Sequence, residues 1–208
     1  AKKFNLKVVE DATEALGSKF KGKQMGTFGD IGVLSFNANK IITTGGGGAL
    51  IIKKKRDYNK ALLLSTTAKI SHKWLLKHKD IGWNIRMPAI NASLGYSKLK
   101  NFSKVLIKKR ILASKYKQLF KNTRFRFFEE KKKVKSNFWL NTIILNNDQI
   151  KYRKKILDYC NSRGIECRPA WSLISEMKTY KNNPKSNLDN AIRLQKKIIN
   201  LPSGLNLL

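Results

Sequence analysis

An acidic side chain closes an apolar run at Val8-Val9-Glu10-Asp11, and a lysine, Lys40, follows a second apolar run at residues 31–36. Ser35 and Asn37 stand just before that lysine, and Gly45-Gly46-Gly47-Gly48 come just after it. A lysine amine forms an imine with an aldehyde. A carboxylate keeps a pyridine-type nitrogen protonated, so that the ring accepts electrons from a developing carbanion. A serine hydroxyl donates to a phosphate, and glycines let the backbone come close to a ligand. Together these residue types suit a site for a flat, phosphorylated, cationic cofactor. Each also has a plainer reading. A lysine in a lysine-rich chain is a solvated charge, an aspartate before a turn is a helix N-cap, and four glycines make a flexible turn.

The elements that must position these residues are legible in outline. Residues 6–10 read as a buried strand, 11–16 as a helical or turn segment and 19–30 as a glycine-punctuated loop. Residues 31–36 and 49–53 read as strands, and 57–65 as a helix. Ligands of an open α/β sheet lie at the carboxyl ends of its strands, which is where Asp11, Ser35 and Lys40 fall. Residues 66–88 read as an ordered loop. Residues 89–122 read as a long helix with an apolar stripe through Leu99, Phe102, Leu106, Ala113, Tyr116 and Phe120, and Gly95 as its weak point. Beyond it, 124–128 and 137–145 read as strands, and 149–162 as a helix capped by Gly164. A strand over 165–171 is interrupted by Pro169, and a helix over 188–199 ends before Pro202. The expected organisation is therefore α/β, with one domain over 1–122 and a smaller one over 123–208.

Composition narrows the class. Hydrophobic residues make up 41% of the 208, enough for a packed core. No apolar run reaches the roughly 18 residues of a membrane span, and residues 1–6 lack the apolar centre of a signal peptide. The first residue is Ala1, so the chain reads as processed, trimmed or incomplete. Cys160 and Cys167 fit no zinc or redox spacing, so reduced thiols, no metal site and a cytoplasmic setting are expected. The net charge of +31, from 44 basic against 13 acidic residues, invites a polyanion partner. The lysines are scattered over helix surfaces and loops rather than gathered in one arm, which favours compositional bias over nucleic-acid recognition.

Longer motifs carry a resemblance. Glu10-Asp11-Ala12-Thr13-Glu14-Ala15-Leu16-Gly17 fits E-D-A-x-x-A-x-G, residues 26–36 fit G-x-x-G-D-x-x-x-x-S-F, and residues 40–48 fit K-x-I-T-x-G-x-G-G. This series is similar to the cofactor region of the DegT/DnrJ/StrS sugar-nucleotide aminotransferases. Residues 78–92 resemble the family's H-x-x-x-G-y-N-y-R-m-x-x-I-x-A-A segment, and Gly164 to Trp171 resembles its G-I-x-x-R-P-x-W strand. The likeness extends over essentially the whole chain.

That resemblance implies a pyridoxal 5'-phosphate enzyme. It gives Lys40 the covalent and general-base role, Asp11 the pyridinium nitrogen and Ser35 the phosphate. Glu14 falls where relatives often have Gln or His beside the ring. Asn84 would reach the phosphate of a neighbouring subunit's cofactor, which implies a homodimer with shared sites. His78, Arg168 and Trp171 would face substrate. The fold implied is the C-terminal part of an aspartate-aminotransferase-like large domain plus a small α/β domain. The activity implied is ping-pong transamination of a nucleotide-linked 4-keto-6-deoxy sugar, UDP-linked in the branch most similar, with glutamate as amino donor, for surface glycan biosynthesis. No nucleic acid or membrane partner is implied. Relatives extend well upstream of the Asp11 motif and beyond Leu201-Pro202-Ser203, so the chain reads as a fragment. Ser175 stands where many relatives carry a His. Dehydratases of the same family replace the lysine with histidine, and Lys40 speaks against them. A basic nucleic-acid-binding module and an inactive remnant of the aminotransferase are the rival readings.

Overall fold

A computed structural model describes residues 1–208. In chain order the elements are β1 (Val9–Asp11), β2 (Lys19–Phe20), β3 (Lys23–Gln24), β4 (Ile31–Ser35), β5 (Gly48–Ile52), α1 (Lys55–Ser65), α2 (Ala89–Lys100) and α3 (Phe102–Phe120). They continue with β6 (Arg126–Phe127), β7 (Val134–Lys135), β8 (Asn141–Ile144), α4 (Arg153–Asn161), β9 (Arg168–Pro169), α5 (Asp189–Lys197) and β10 (Ile198–Leu201). No helix is long and apolar enough to cross a membrane. The chain divides into two compact units, residues 1–106 with 132–137, and residues 107–131 with 138–208. The division falls inside α3, whereas the sequence reading puts the boundary at 122.

The first unit is built on a three-stranded sheet in the order β1-β4-β5. β1 and β4 run parallel with Asp11 opposite Val33, and β4 and β5 run antiparallel with Ser35 opposite Gly48. The carboxyl ends of β1 and β4 therefore lie at one edge. β1 is shorter and starts later than the apolar run suggests, and Val9 is 64% exposed. Within the expected loop over 19–30 the chain makes the β2–β3 hairpin, and β7 adds to it as a third strand. Gly32 sits where the 26–29 loop crosses β4: a Cβ there would stand 1.9 Å from the Gly26 carbonyl oxygen. Only a residue without a side chain allows that crossing.

Gly95 has a different role from the one its propensity suggests. The helix over 89–122 breaks at Asn101, between α2 and α3, and not at Gly95. Gly95 is buried, and a Cβ on it would stand 2.7 Å from the Thr44 methyl. It lets α2 lie against the loop that follows β4.

The second unit carries a four-stranded sheet in the order β6-β8-β10-β9, all neighbours antiparallel. Its core joins Ala113 of α3, Phe127, Ile143, Leu145, Cys167, Ile199 and Leu201, with Tyr116, Phe120, Ile156 and Leu157 packed around them. The helix expected over 188–199 ends at Lys197, and the chain passes directly into β10. Ile-Ile-Asn-Leu is a short apolar run whose periodicity suits a helix end and a buried strand equally. Pairing to β8 on one side and β9 on the other decides for the strand. The expected 149–162 helix begins as a 3-10 turn over Asn147–Tyr152 before α4, and Gly164 follows it at φ +73.

Candidate cofactor site

The loop after β4 is closed at its neck. The Phe36 carbonyl accepts from the Thr44 N–H at 3.0 Å and from the Thr43 hydroxyl at 3.2 Å, while the Phe36 N–H donates to the Gly47 carbonyl at 2.9 Å. Ile42 and Thr44 are buried, and the Asn91 carboxamide of α2 donates to the Thr44 carbonyl at 2.6 Å. These contacts anchor one side of the loop and leave Lys40 at its turn, where the Lys40 N–H donates to the Asn37 carbonyl at 3.0 Å. The Lys40 side chain is only 12% exposed, and its Nζ lies 3.1 Å from Glu14 Oε1.

Asp11 reaches the same edge from β1. Its carboxyl is held below its ordinary pKa, first by the Thr13 hydroxyl and then by the Thr13 N–H, which donates at 3.1 Å. Desolvation at this exposed residue opposes this with a smaller effect, and the Lys40 charge adds to the lowering. Asp11 is thus ionised at neutral pH and within the electrostatic reach of Lys40. Ser35 ends β4 beside them, its Oγ accepting from the Asn37 N–H at 3.3 Å.

Glu10, next to Asp11, does something the sequence reading does not assign to it. Alternation along a strand turns adjacent side chains to opposite faces. Glu10 accordingly accepts from the backbone N–H groups of Gly26 at 2.6 Å, Phe28 at 2.7 Å and Gly29 at 3.1 Å. Burial pushes its pKa up, and these three donations, with Lys23 nearby, outweigh burial and bring it below the ordinary value. The carboxylate organises the loop that crosses β4. The alternation rule was the signal: of two consecutive carboxylates on a strand, only one can face the lysine.

The structure therefore brings Glu14 and Asp11 to Lys40 and leaves Ser35 at the end of β4 on the same edge. His78 and Asn84 lie on the 66–88 segment and are tied to it. His78 Nδ1 is 2.7 Å from the Thr67 carbonyl oxygen, and Asn84 bridges to Thr66. Arg168 and Trp171 belong to the second unit. Arg168 pairs with Asn200 across β9 and β10, and Trp171 stacks on Trp139 with centroids 6.2 Å apart. Cys160 and Cys167 are free thiols, burial pushing Cys167 up to about 12, and no group of three His, Cys, Asp or Glu side chains converges to hold a metal.

A lysine and an ionised aspartate thus lie toward the carboxyl edge of a parallel strand pair on a mixed α/β scaffold. Residues 1–207 match the DegT/DnrJ/EryC1/StrS aminotransferase family, and the chain belongs to it. It is 35% identical over 182 residues to the GDP-perosamine synthase of Escherichia coli O157:H7, covering 86% of this chain and 48% of that protein. It is 29% identical over 183 residues to the UDP-4-amino-4,6-dideoxy-N-acetyl-beta-L-altrosamine transaminase of Campylobacter jejuni, covering 87% and 49%. The solved structure of Helicobacter pylori PseC, an aminotransferase involved in the biosynthesis of pseudoaminic acid, superposes with a TM-score of 0.93 at 30% identity. That superposition covers all of this chain and 57% of the PseC chain. The chain spans about half the length of the curated relatives it matches.

Proposed function

We propose that this chain carries the lysine half of a pyridoxal 5'-phosphate site used to aminate a nucleotide-linked sugar. One observation carries the reading: Lys40 Nζ is sheltered at the edge where β1 and β4 end, in ion-pair contact with Glu14 and within electrostatic reach of an ionised Asp11. The residues suit the group. Lys40 offers the amine for its aldehyde carbon, Asp11 the carboxylate for its ring nitrogen, Ser35 a hydroxyl for its phosphate, and Glu14 a second carboxylate beside the ring. When bound, pyridoxal phosphate supplies an electron sink for a carbanion. Lys40 Nζ would be the group that carries a proton at the aldehyde carbon, and Asp11, held below the ordinary carboxylate pKa, would hold the ring nitrogen's proton.

The finer parts of the reading rest on the family and on its named relatives. These are a keto sugar as acceptor, glutamate as donor, a homodimer in which Asn84 serves the partner's phosphate, and His78, Arg168 and Trp171 toward substrate. One relative is named for a GDP-sugar and another for a UDP-sugar, so a nucleoside diphosphate sugar is the common proposal and UDP is the narrower one. The test is Lys40→Ala. The unchanged chain mixed with pyridoxal phosphate and reduced with borohydride is expected to carry the cofactor mass on the peptide containing Lys40. The variant is expected to lose that label completely. No cofactor mass on the Lys40 peptide of the unchanged chain, with total labelling equal in the two proteins, defeats the reading.

A further inference from the structure

Residues 132–137 belong to the first unit although the chain on either side of them belongs to the second. They run along the β2–β3 hairpin: β7 pairs with β2, and the Lys133 carbonyl accepts from the Lys21 N–H at 2.8 Å. At the end of this segment Asn137 is 3% exposed. Its carboxamide nitrogen donates to the Glu14 carbonyl at 2.9 Å and to the Leu16 carbonyl at 3.0 Å, and its backbone N–H donates to Ser18 Oγ at 2.9 Å. A carboxamide is the small side chain with two N–H donors on one atom, and here both find an acceptor. An aspartate of the same shape has none at neutral pH. Lys133, near the start of the segment, has φ 68, and Phe138, just past its end, has φ 47. Left-handed backbone is unfavourable for such residues and persists where the surrounding structure imposes it.

The turn that Asn137 grips carries Glu14, and the Glu14 carboxylate holds the Lys40 amine. We propose that Asn137 is a positioning residue for the Lys40 site: by tying the Glu14–Leu16 turn to the 132–137 segment, it fixes where Glu14 meets the Lys40 amine. The inference rests on the reading of Lys40 as the cofactor's lysine, and its consequence for the amine is measurable without cofactor.

The experiment is trace acetylation of the cofactor-free 208-residue chain with acetic anhydride, reading each lysine's relative rate by mass spectrometry. Asn137→Asp keeps the volume and removes both donors. It is expected to raise the Lys40 rate about fivefold while lysines remote from the turn stay within about twofold. In a Glu14→Ala background the same substitution is expected to add less than about twofold, because interacting residues are non-additive. Two results overturn the proposal: a Lys40 rate unchanged within about twofold in Asn137→Asp, or an equal increase with and without Glu14. If circular-dichroism melting shows that Asn137→Asp does not fold, Asn137→Ser, which retains one donor, is read by the same two criteria. Failure of cofactor attachment at Lys40 defeats the proposed function and leaves this acetylation result standing on its own.

Discussion

The two units are held together by different means. In the first, few apolar side chains are fully buried (Ala12, Leu34, Ile42 and Ala68), and Val8, Val9 and Leu50 are substantially exposed. Its site loops are fixed by polar contacts and close backbone approach: Glu10 on three N–H groups, Phe36 across the loop neck, Asn137 on two carbonyls. The second unit encloses a continuous apolar core between its sheet and helices α3 and α4. The difference teaches where each region is vulnerable. Loss of volume damages the second unit, because close-packed interiors do not refill a cavity. Loss of a charge or a donor damages the first, because its geometry depends on directional contacts.

The contrast is sharpest at Ile199, which is fully buried in β10. Ile199→Ala is expected to cost about 2–5 kcal/mol, read as a lowered denaturant midpoint, and to leave the Lys40 acetylation rate of the folded protein unchanged. An unstable protein whose Lys40 rate also rises would break the comparison. Next in size is Glu10→Ala, which removes an acceptor from three backbone donors. It is expected to cost about 2 kcal/mol and to speed amide hydrogen exchange at Gly26, Phe28 and Gly29, with the second unit's amides unaffected. The smallest effect concerns pH. Lys109 is buried, donates to the Trp139 and Ser203 carbonyls, and is pushed down to about 8 by burial. Between that value and the ordinary lysine value the unfolded chain binds more protons than the folded one, so stability rises with pH across this window. Cys167, raised to about 12, works in the opposite direction above its ordinary value of 9.0. The rise is therefore expected from about pH 8 to 9, and Lys109→Met is expected to flatten it in thermal melts.

Much of the first unit was legible because its information is local. The apolar runs gave β4 and β5, and the end of β1 fell at Asp11. The strand-end rule placed Asp11, Ser35 and Lys40 at one edge. The same local reasoning failed at Ile198–Leu201, where four residues carry too short a pattern to separate helix from strand. It also misses the role of Gly95, which its low helix propensity makes a weak point of the helix, while the residue serves a close contact with Thr44. His78, Asn84, Arg168 and Trp171 came from motif likeness alone, and these contacts in the structure lie within their own units.

What the sequence determined by itself is the chemistry on offer: an amine, an ionisable carboxylate and a hydroxyl, each at or just past the end of an apolar run. Those follow from residue type and from a period of two or three and a half residues, which a single stretch of chain displays. Only the tertiary structure decided that Glu14 pairs with Lys40, that Glu10 turns away to hold a loop, and that Asn137 grips a turn 123 positions earlier. A hydrogen bond between such distant residues leaves no periodic trace in the chain, because its geometry exists only after the intervening elements have packed.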